Sequence, residues 1–475
     1  MNKPRVVLAT ITETREDFRA KRSEYVEEER KALDWIKQAA EVYESEVLTS
    51  VHEVRSFADD AARRKADALI THIPVWTEPV LTLKLSELIP LPLALLGNGR
   101  KETSSMVGIL GAGGALDQIG KSHWRIMDHR LEEERRELLA FVRAASARQR
   151  LKGQTMGMFG GRSLGMITAT ADAAQWHTLF GVDIEHVDQM EIVRLGEAAD
   201  GTEVNRHVEW LTRSLGAVEF GGSFTEEAMD RQVRSYLATM RLSEERGFDF
   251  VGVKCQPELS DGYTSQCVAH MLMNGHIDAD GPKEAVIHAC EADADGALTM
   301  QLLHLISGGS PAALLDLRLY DTESGFMTLA NCGALPAVFA APGGADHASA
   351  DRSRAELTAA GLTAVNAVPH VFGKGGGCAL PCVITGQEVT LARLSRVGGE
   401  YWMAIVAGRS EDRDRSELEK TTPEFPQGFV RVPVDKEFFR IYGSNHIHMV
   451  LGDYVAELEA FCRLSGIRYT IWREE

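Results

Sequence analysis

The chain has 475 residues, of which 44% are hydrophobic and 25% charged, and its formal net charge is -18 at pH 7. The composition is typical of a globular protein, and the length predicts two or three domains. The acidic balance argues against a nucleic-acid partner, because phosphates need a basic face. The apolar run Val6–Ala9 is too short for a signal-peptide core, and no later run reaches membrane-spanning length. We therefore expect a cytoplasmic protein without a membrane partner.

Residues 1–155 have the pattern of an α/β domain. A strand is predicted at Arg5–Ile11 and a long charged helix at about Glu16–Val47, after which short apolar runs such as Ala68–Ile70 alternate with helical stretches. This alternation is typical of an α/β layer with a parallel sheet. A second charged helix, at about Leu131–Ala147, could bridge to the next domain or could simply present a solvated face.

Residues 156–316 predict a second α/β domain, with a helix near Glu226–Arg246 and a strand near Asp249–Lys254. Residues 317–475 are predicted to be mainly β, because apolar runs are separated by Gly-rich and polar turns. The fold class is therefore α/β, with two α/β (Rossmann-like) domains followed by a mainly β C-terminal domain. The predicted C-terminal elements are strands at Phe326–Leu329, Val368–Phe372, Cys382–Thr385 and Tyr401–Val406, a mobile loop at Ala340–Ala355 and a closing helix at Asp453–Ser465.

The seven cysteines are an odd number and are scattered along the chain. Neither disulfide pairing nor zinc-ligand spacing is evident among them. We expect buried free thiols.

Two acidic residues, Glu291 and Asp316, end or interrupt apolar segments. A partly buried carboxylate is tolerated when it is paired, protonated or bound to a cation. A divalent ion such as Mn²⁺ or Mg²⁺ is the simplest explanation, with a third ligand from the His-bearing segment Gly443–Val450. His446 and His448 would lie on one face of a strand there, so both are candidates.

Structural alternatives remain for both acids. Glu291 could cap the helix predicted at Gly296–Ser307, although Asp293 and Asp295 are better placed for that role. Asp316 could pair with Arg318 at the end of a strand.

The same segments resemble the metal-binding segments of L-fucose isomerase, a relative of L-arabinose isomerase. The resemblance is carried by Ala289–Ile306, Asp316 and Asn445–His446, with two further runs at Phe159–Met166 and Phe180–His186. It is most specific at 155–321 and at 444–467, and weakest in the N-terminal part. It implies a metal site formed by Glu291, Asp316 and His446 that holds Mn²⁺ or another divalent cation such as Mg²⁺ or Co²⁺.

The resemblance also implies an activity. We expect an aldose–ketose isomerase that acts on a free sugar, such as L-fucose, D-arabinose or a related pentose or deoxyhexose, by an enediol proton transfer. Glu291 and Asp316 are the implied catalytic residues. The family resemblance further implies a homotrimer or homohexamer with sites between subunits.

Five further residues are candidates for binding the sugar. Arg15 and Trp76 resemble residues that the family places over a neighbouring subunit's site. Gln256 follows a predicted strand, where open α/β sheets usually bind ligands. Arg162 and His448 complete the set, His448 as a contact behind the metal or to the substrate.

Two other classes of function compete with this interpretation. The segment Gly108–Ala115 could be a Gly-rich turn of an NAD-dependent oxidoreductase, although its spacing misses the dinucleotide-binding pattern. A non-catalytic sugar-binding protein of the same fold is the second alternative, because fold does not fix function.

Overall fold

The structure is a computed structural model that describes residues 3–341 and 353–474. Most of the predicted loop at Ala340–Ala355 therefore lies outside the described residues. None of the helices in the described ranges is long and apolar enough to cross a membrane. The chain forms two compact units, one of residues 1–150 with 456–466 and one of residues 151–455 with 467–475. The predicted three-domain division stays a prediction.

The first unit is built on a five-stranded parallel sheet with strand order β2-β1-β3-β4-β5, which is one of the two common doubly wound orders. Its strands are β1 (Arg5–Thr10), β2 (Glu41–Glu44), β3 (Ala68–His72), β4 (Leu93–Leu96) and β5 (Trp124–Ile126). Its helices are α1 (Glu16–Ala20), α2 (Ser23–Lys31), α3 (Ile36–Ala39), α4 (Val51–Ala61), α5 (Pro79–Leu88), α6 (Ser105–Gln118) and α7 (Glu132–Leu151).

Two predictions for this unit are wrong. The long helix predicted at Glu16–Val47 is broken into α1, α2 and α3, because the chain turns extended at Ala40 and then forms β2 along β1. Val42 and Tyr43 favour a strand there. The segment Gly108–Ala115 is the interior of α6 and not a Gly-rich turn, so it offers no phosphate-binding loop.

The second unit begins with a four-stranded parallel sheet of order β12-β9-β6-β7. The strands of this sheet are β6 (Thr155–Phe159), β7 (Asp183–Val187), β9 (Phe250–Val253) and β12 (Ile287–Cys290). Three two-residue strands lie outside the sheet, namely β8 (Ala217–Val218), β10 (Ile277–Asp278) and β11 (Gly281–Pro282). Its helices are α8 (Ala173–Phe180), α9 (Met190–Glu197), α10 (Gly201–Ser214), α11 (Glu226–Arg246), α12 (Ser260–Gly262), α13 (Cys267–Met273) and α14 (Ala294–Ile306).

The rest of the second unit is an antiparallel β-barrel. Six strands close on themselves in the order β17-β20-β13-β14-β19-β18, with β17 paired back to β18 and β21 added in parallel at β18. The strands are β13 (Ala313–Asp321), β14 (Phe326–Ala330), β17 (Glu388–Val397), β18 (Glu400–Ser410), β19 (Gln427–Arg431), β20 (His446–Leu451) and β21 (Arg468–Trp472). The same part of the chain holds β15 (Asn366–Pro369) and β16 (Cys378–Ala379), which form a separate three-stranded sheet with β8, and the helices α15 (Arg354–Leu362) and α16 (Lys436–Ile441). Helix α17 (Val455–Ser465) belongs, except for its first residue, to the first unit.

The mixed α/β class with parallel sheets followed by an antiparallel β region is thus confirmed. The strand predicted at Cys382–Thr385 is wrong, because only Val383 forms an isolated bridge there. All seven cysteines are free, and all but the partly exposed Cys332 are buried, as expected.

Helix α14 joins the parallel sheet to the barrel within the second unit. It packs against β12 and β9 on one side and against β17, β20 and β13 on the other. All but one of its residues are buried, polar ones such as Asp295 and His304 included. Its N-terminus therefore lies where the end of β12 meets the barrel strands.

The barrel core predicts a specific loss of stability. Leu391 on β17 is fully buried, whereas Leu319 on β13 is 59% exposed. We expect Leu391→Ala to lower the free energy of unfolding by about 2–5 kcal/mol, because truncation leaves a cavity. The matched control Leu319→Ala should change it by less than about 0.5 kcal/mol. Urea unfolding followed by circular dichroism measures both, and equal losses would contradict the barrel packing.

Candidate active site

Asp316 and His446 lie directly opposite each other on the antiparallel strands β13 and β20. Side chains of such a pair stand on the same face of the sheet. His446 Nε2 is 3.6 Å from Asp316 Oδ1, and Asn445 Nδ2 donates to the same oxygen at 3.3 Å. The Asp316 carboxylate therefore faces the imidazole, and Arg318, its alternative partner, instead donates to Thr422 Oγ1 at 3.0 Å.

Glu291 reaches the same imidazole from the parallel sheet. It directly follows β12, and both it and Ala292 adopt left-handed backbone conformations, with φ of 59° and 49°. Such conformations are costly for residues with a Cβ and are found where surrounding contacts enforce them. Here the Ala292 N–H donates to Val253 at 3.1 Å. The turn brings Glu291 Oε2 to 3.2 Å from His446 Nε2.

Asp293 fixes the other side of the imidazole. Its Oδ1 accepts a hydrogen bond from the Gly296 N–H at 2.9 Å, which makes it the N-cap of α14 and confirms its predicted capping role. Its Oδ2 accepts from His446 Nδ1 at 2.7 Å and from Arg393 Nη1 at 2.5 Å. Burial raises the pKa of Asp293, but Arg393 and His446 outweigh this effect and hold the pKa well below its usual range.

These carboxylates determine the charge of His446. Burial lowers the pKa of the imidazole, but the hydrogen bonds to Asp293 and Glu291 raise it to about 10. Nε2 therefore carries a proton that faces Glu291 and Asp316. For Asp316, burial raises the pKa above its ordinary value, against the lowering effect of the nearby His446.

The three side chains offer a donor set that fits a divalent cation. Two carboxylates and one imidazole suit Mn²⁺, Mg²⁺ or Co²⁺, and a metal-binding histidine usually donates its other N–H to a carboxylate, as His446 does to Asp293. A cation at Nε2 would replace the proton there. The ligand atoms of the three side chains do not all lie within 4.8 Å of one another.

His448 lies beside this cluster on β20. Its ring is fully buried, and neither ring nitrogen has a hydrogen-bond partner among the described residues. Burial, followed by Arg393, holds its pKa well below the ordinary value, so the ring is neutral. A Cβ on Gly296 would come within 2.7 Å of His448 Nε2, and the absence of a side chain at Gly296 therefore lets the ring pack against the start of α14.

A buried network behind the cluster was not predicted. Arg393 is 1% exposed and donates both to Asp293 and to the Thr168 carbonyl, the latter at 2.6 Å. A charged residue in the buried part of β17 is itself a signal, because such a residue needs a partner, but the partner's identity is not readable from the sequence.

Asp295, which was also predicted to be a cap, has another role. Its side chain accepts hydrogen bonds from Trp176 Nε1 at 3.0 Å and from the Tyr401 hydroxyl at 2.9 Å. Burial raises its pKa to about 6.

Two predicted sugar-binding residues of the second unit, Gln256 and Arg162, are linked to the cluster through a shared cavity and a shared loop. Gln256 is half-buried and lines a small cavity together with Cys290, the residue before Glu291. Arg162 is exposed on the loop after β6. Another residue of that loop, Met166, has its Sδ 3.8 Å from Asn445 Nδ2.

The other two, Arg15 and Trp76, belong to the first unit. The Arg15 guanidinium lies 5.7 Å from the centre of the Trp76 ring and pairs with Glu13. Glu78 accepts from the Thr14 hydroxyl at 2.9 Å and lies 3.9 Å from Arg15 Nε. Arg15 is exposed and Trp76 is half-buried, so both offer surface to a ligand.

Comparison with known proteins identifies the class. The first N-terminal domain of L-fucose isomerase matches residues 4–153, and the C-terminal domain of L-fucose isomerase matches residues 329–473. The first match falls on the part of the chain in which the sequence led us to expect the weakest resemblance.

Relatives that match the chain over most or about half of their length are also named as sugar isomerases. A sulfoquinovose isomerase of Priestia megaterium is 21% identical over 447 residues, which cover 88% of this chain and 91% of that protein. An L-fucose isomerase of Klebsiella pneumoniae is 23% identical over 285 residues, or 53% of this chain and 48% of that protein. An L-fucose isomerase of Escherichia coli is 22% identical over 307 residues, or 58% and 51%.

These matches define an enzyme of the sugar isomerase class, an intramolecular oxidoreductase that interconverts aldoses and ketoses. The two matched domains together span more than half of the chain, and the chain belongs to the L-fucose isomerase family. The alternative of an NAD-dependent oxidoreductase is replaced by this assignment.

The buried ion pair behind His446 generates a stability prediction. Arg393→Met would leave the Asp293 carboxylate buried without its strongest partner, so we expect the free energy of unfolding to fall by about 3–5 kcal/mol. The matched control is Arg396→Met on the same strand, since Arg396 is partly exposed and lies 3.4 Å from Asp172. It should cost about 1 kcal/mol or less. Equal losses in urea unfolding would show that Arg393 does not support Asp293.

Proposed function

We propose that the protein is a metal-dependent aldose–ketose isomerase that acts on a free sugar through an enediol, with Glu291, Asp316 and His446 as metal ligands. The observation that carries the proposal is the approach of both carboxylates to one imidazole nitrogen, at 3.2 and 3.6 Å. Family membership supports the reaction class. The position of Glu291 at the carboxyl end of β12 supports the location, because parallel sheets bind their ligands there.

The chain's own residues would move the protons. Isomerisation removes the proton on sugar C2 and returns a proton to C1, while a hydroxyl proton moves between the two oxygens. Glu291 or Asp316 takes the C2 proton as general base and delivers it to C1 as general acid. A bound divalent cation would supply Lewis-acid chemistry to the carbonyl and hydroxyl oxygens of the sugar. Asp293 and Arg393 hold the imidazole ring in place through this exchange.

The substrate is proposed from the relatives. L-fucose follows from the matched L-fucose isomerases, and D-arabinose from the activity expected from the sequence. Sulfoquinovose follows from the relatives that match nearly the full length of the chain. The proposal is an aldose of this group.

Substrate and metal can be tested together. The metal-stripped protein is incubated with L-fucose, D-arabinose, L-arabinose and sulfoquinovose, with and without Mn²⁺, Mg²⁺ or Co²⁺, and the ketose formed is measured. We expect turnover of at least one of these sugars that appears only with added metal. Turnover that is equally fast in the stripped protein would remove the metal from the proposal.

The carboxylate at position 291 is tested by Glu291→Gln. We expect the rate of ketose formation to fall by about 100-fold or more, because the amide neither accepts the proton nor replaces the anionic ligand. Unchanged circular dichroism would show that the variant is folded. Glu284→Gln, an exposed glutamate just before β12, is the matched control and should keep full activity. A fully active Glu291→Gln enzyme contradicts the assignment.

The proposed homotrimer or homohexamer is supported by the family resemblance, with Arg15 and Trp76 of one subunit over the site of the next. Trp76→Ala should then raise KM, since an aromatic face binds the apolar side of a sugar. Co-expression of differently tagged Trp76→Ala and Glu291→Gln chains should yield hybrids in which some sites combine Trp76 with Glu291 and regain the KM of the wild type, a gain over the Trp76→Ala homo-oligomer. Hybrids without this gain would place Trp76 outside a shared site.

A further inference from the structure

A second cluster of potential ligands lies in a cavity of the second unit, away from Glu291. The cavity has a volume of about 620 Å³ and is bordered by helices α9, α10 and α11 and by the hairpin β10–β11. His207 on α10, Asp278 on β10 and Asp280 in the hairpin turn line it. These three residues have no role in the proposed reaction, and they lie outside the two matched family domains.

His207 is placed as a metal-binding histidine is. The side chain is 1% exposed, and its Nδ1 donates to the Glu203 carbonyl at 3.0 Å, one turn earlier in α10. This hydrogen bond fixes the tautomer and leaves a lone pair on Nε2. Nε2 is buried at the cavity wall and has no hydrogen-bond partner among the described residues. A buried nitrogen without a partner is costly, and a cation would satisfy it.

The two carboxylates are oriented by other contacts. The Tyr236 hydroxyl donates to Asp278 Oδ2 at 2.5 Å, and the Asp280 N–H donates to Asp278 Oδ1 at 2.8 Å. Arg206 Nη1 donates to Asp280 Oδ1 and, at 3.3 Å, to the Ala279 carbonyl. Asp280 Oδ2 remains on the side of the imidazole, 3.6 Å from His207 Nε2, which is too long for a hydrogen bond.

The other cations of the cavity wall are engaged elsewhere. Lys283 Nζ donates to the carbonyls of Gly275 and Met273, at 2.8 and 3.2 Å. Arg241 Nε donates to Glu245 at 2.8 Å. Arg206 therefore balances one carboxylate of the pair, and the second negative charge has no hydrogen-bonded cationic partner in the described part of the chain.

We propose that His207, Asp278 and Asp280 bind a second divalent cation, separate from the one at Glu291. The proposal rests on one ligand atom from each residue, all within 4.8 Å of one another, and on the unpartnered Nε2. One imidazole and two carboxylates are the same kind of donor set as at Glu291, and such sets also bind Zn²⁺, which serves as the probe. Three protein ligands leave a coordination position open to the cavity. The proposal goes beyond the proposed isomerase reaction and does not depend on it.

The test counts bound Zn²⁺ per chain. The full-length, metal-stripped protein is dialysed to equilibrium against Zn²⁺, and metal and protein are measured by mass spectrometry and absorbance. We expect two ions in the wild type and one in Asp280→Asn, which removes a ligand charge at an exposed position. Glu244→Gln changes another carboxylate of the same cavity wall and should keep both ions. Circular dichroism confirms that each variant is folded.

Two further variants make the outcome decisive. Glu291→Gln should lose the other ion, so its result reports on the proposed active site and not on this cavity. Tyr236→Phe keeps all three ligands but removes the hydrogen bond to Asp278, and we expect Zn²⁺ to bind it about 10-fold to 100-fold more weakly. Equal Zn²⁺ content in Asp280→Asn and the wild type would overturn the proposal. So would an equal loss in Glu244→Gln, because it would indicate diffuse attraction by the acidic wall.

Discussion

The buried carboxylate of Asp293 is the constraint on which the candidate active site depends. A fully buried charge is stable only when its partners are in place, and removing one partner of such a pair costs several kcal/mol. Asp293 has three donors, the Gly296 N–H, Arg393 and His446, which belong to α14, β17 and β20. One side chain therefore ties the end of the parallel sheet to the barrel.

This arrangement explains how the strained turn at Glu291 persists. Two successive left-handed residues with side chains cost about 1–3 kcal/mol each. The turn cannot relax without moving Asp293, which follows it directly and which caps α14. The strain directs Glu291 at His446 and away from the continuation of the strand. Asp316 reaches His446 without a strained backbone, because the register of β13 and β20 places the two residues opposite each other.

The sequence predicts well those features whose causes are local. The sequence predicts a helix near Glu226–Arg246, and α11 begins there after a Thr225 cap and ends at a left-handed Gly247. Asp293 was recognised as a cap because its partner is three residues away. The closure of the barrel and the role of Arg393 were not predicted, because Arg393 and Asp293 are 100 residues apart. The prediction of one long helix at Glu16–Val47 is wrong because it also depends on a contact between distant residues. The pairing of β2 with β1 overrides the charged helical pattern there.

The two proposed cation sites have the same types of ligand. They differ in the group that accepts the hydrogen bond from the other ring nitrogen of the histidine. Asp293, a carboxylate, accepts from His446 Nδ1, whereas a backbone carbonyl accepts from His207 Nδ1. A carboxylate partner makes the imidazole more basic and the ligand stronger. The ligands of the first site come from three elements spread over residues 291–446, so they meet only when the sheet and the barrel are both folded. Those of the second lie on a helix and an adjacent hairpin within residues 207–280, and the two carboxylates are only two residues apart. The geometry of the first site therefore depends on long-range folding, and that of the second on the contact of one helix with one hairpin.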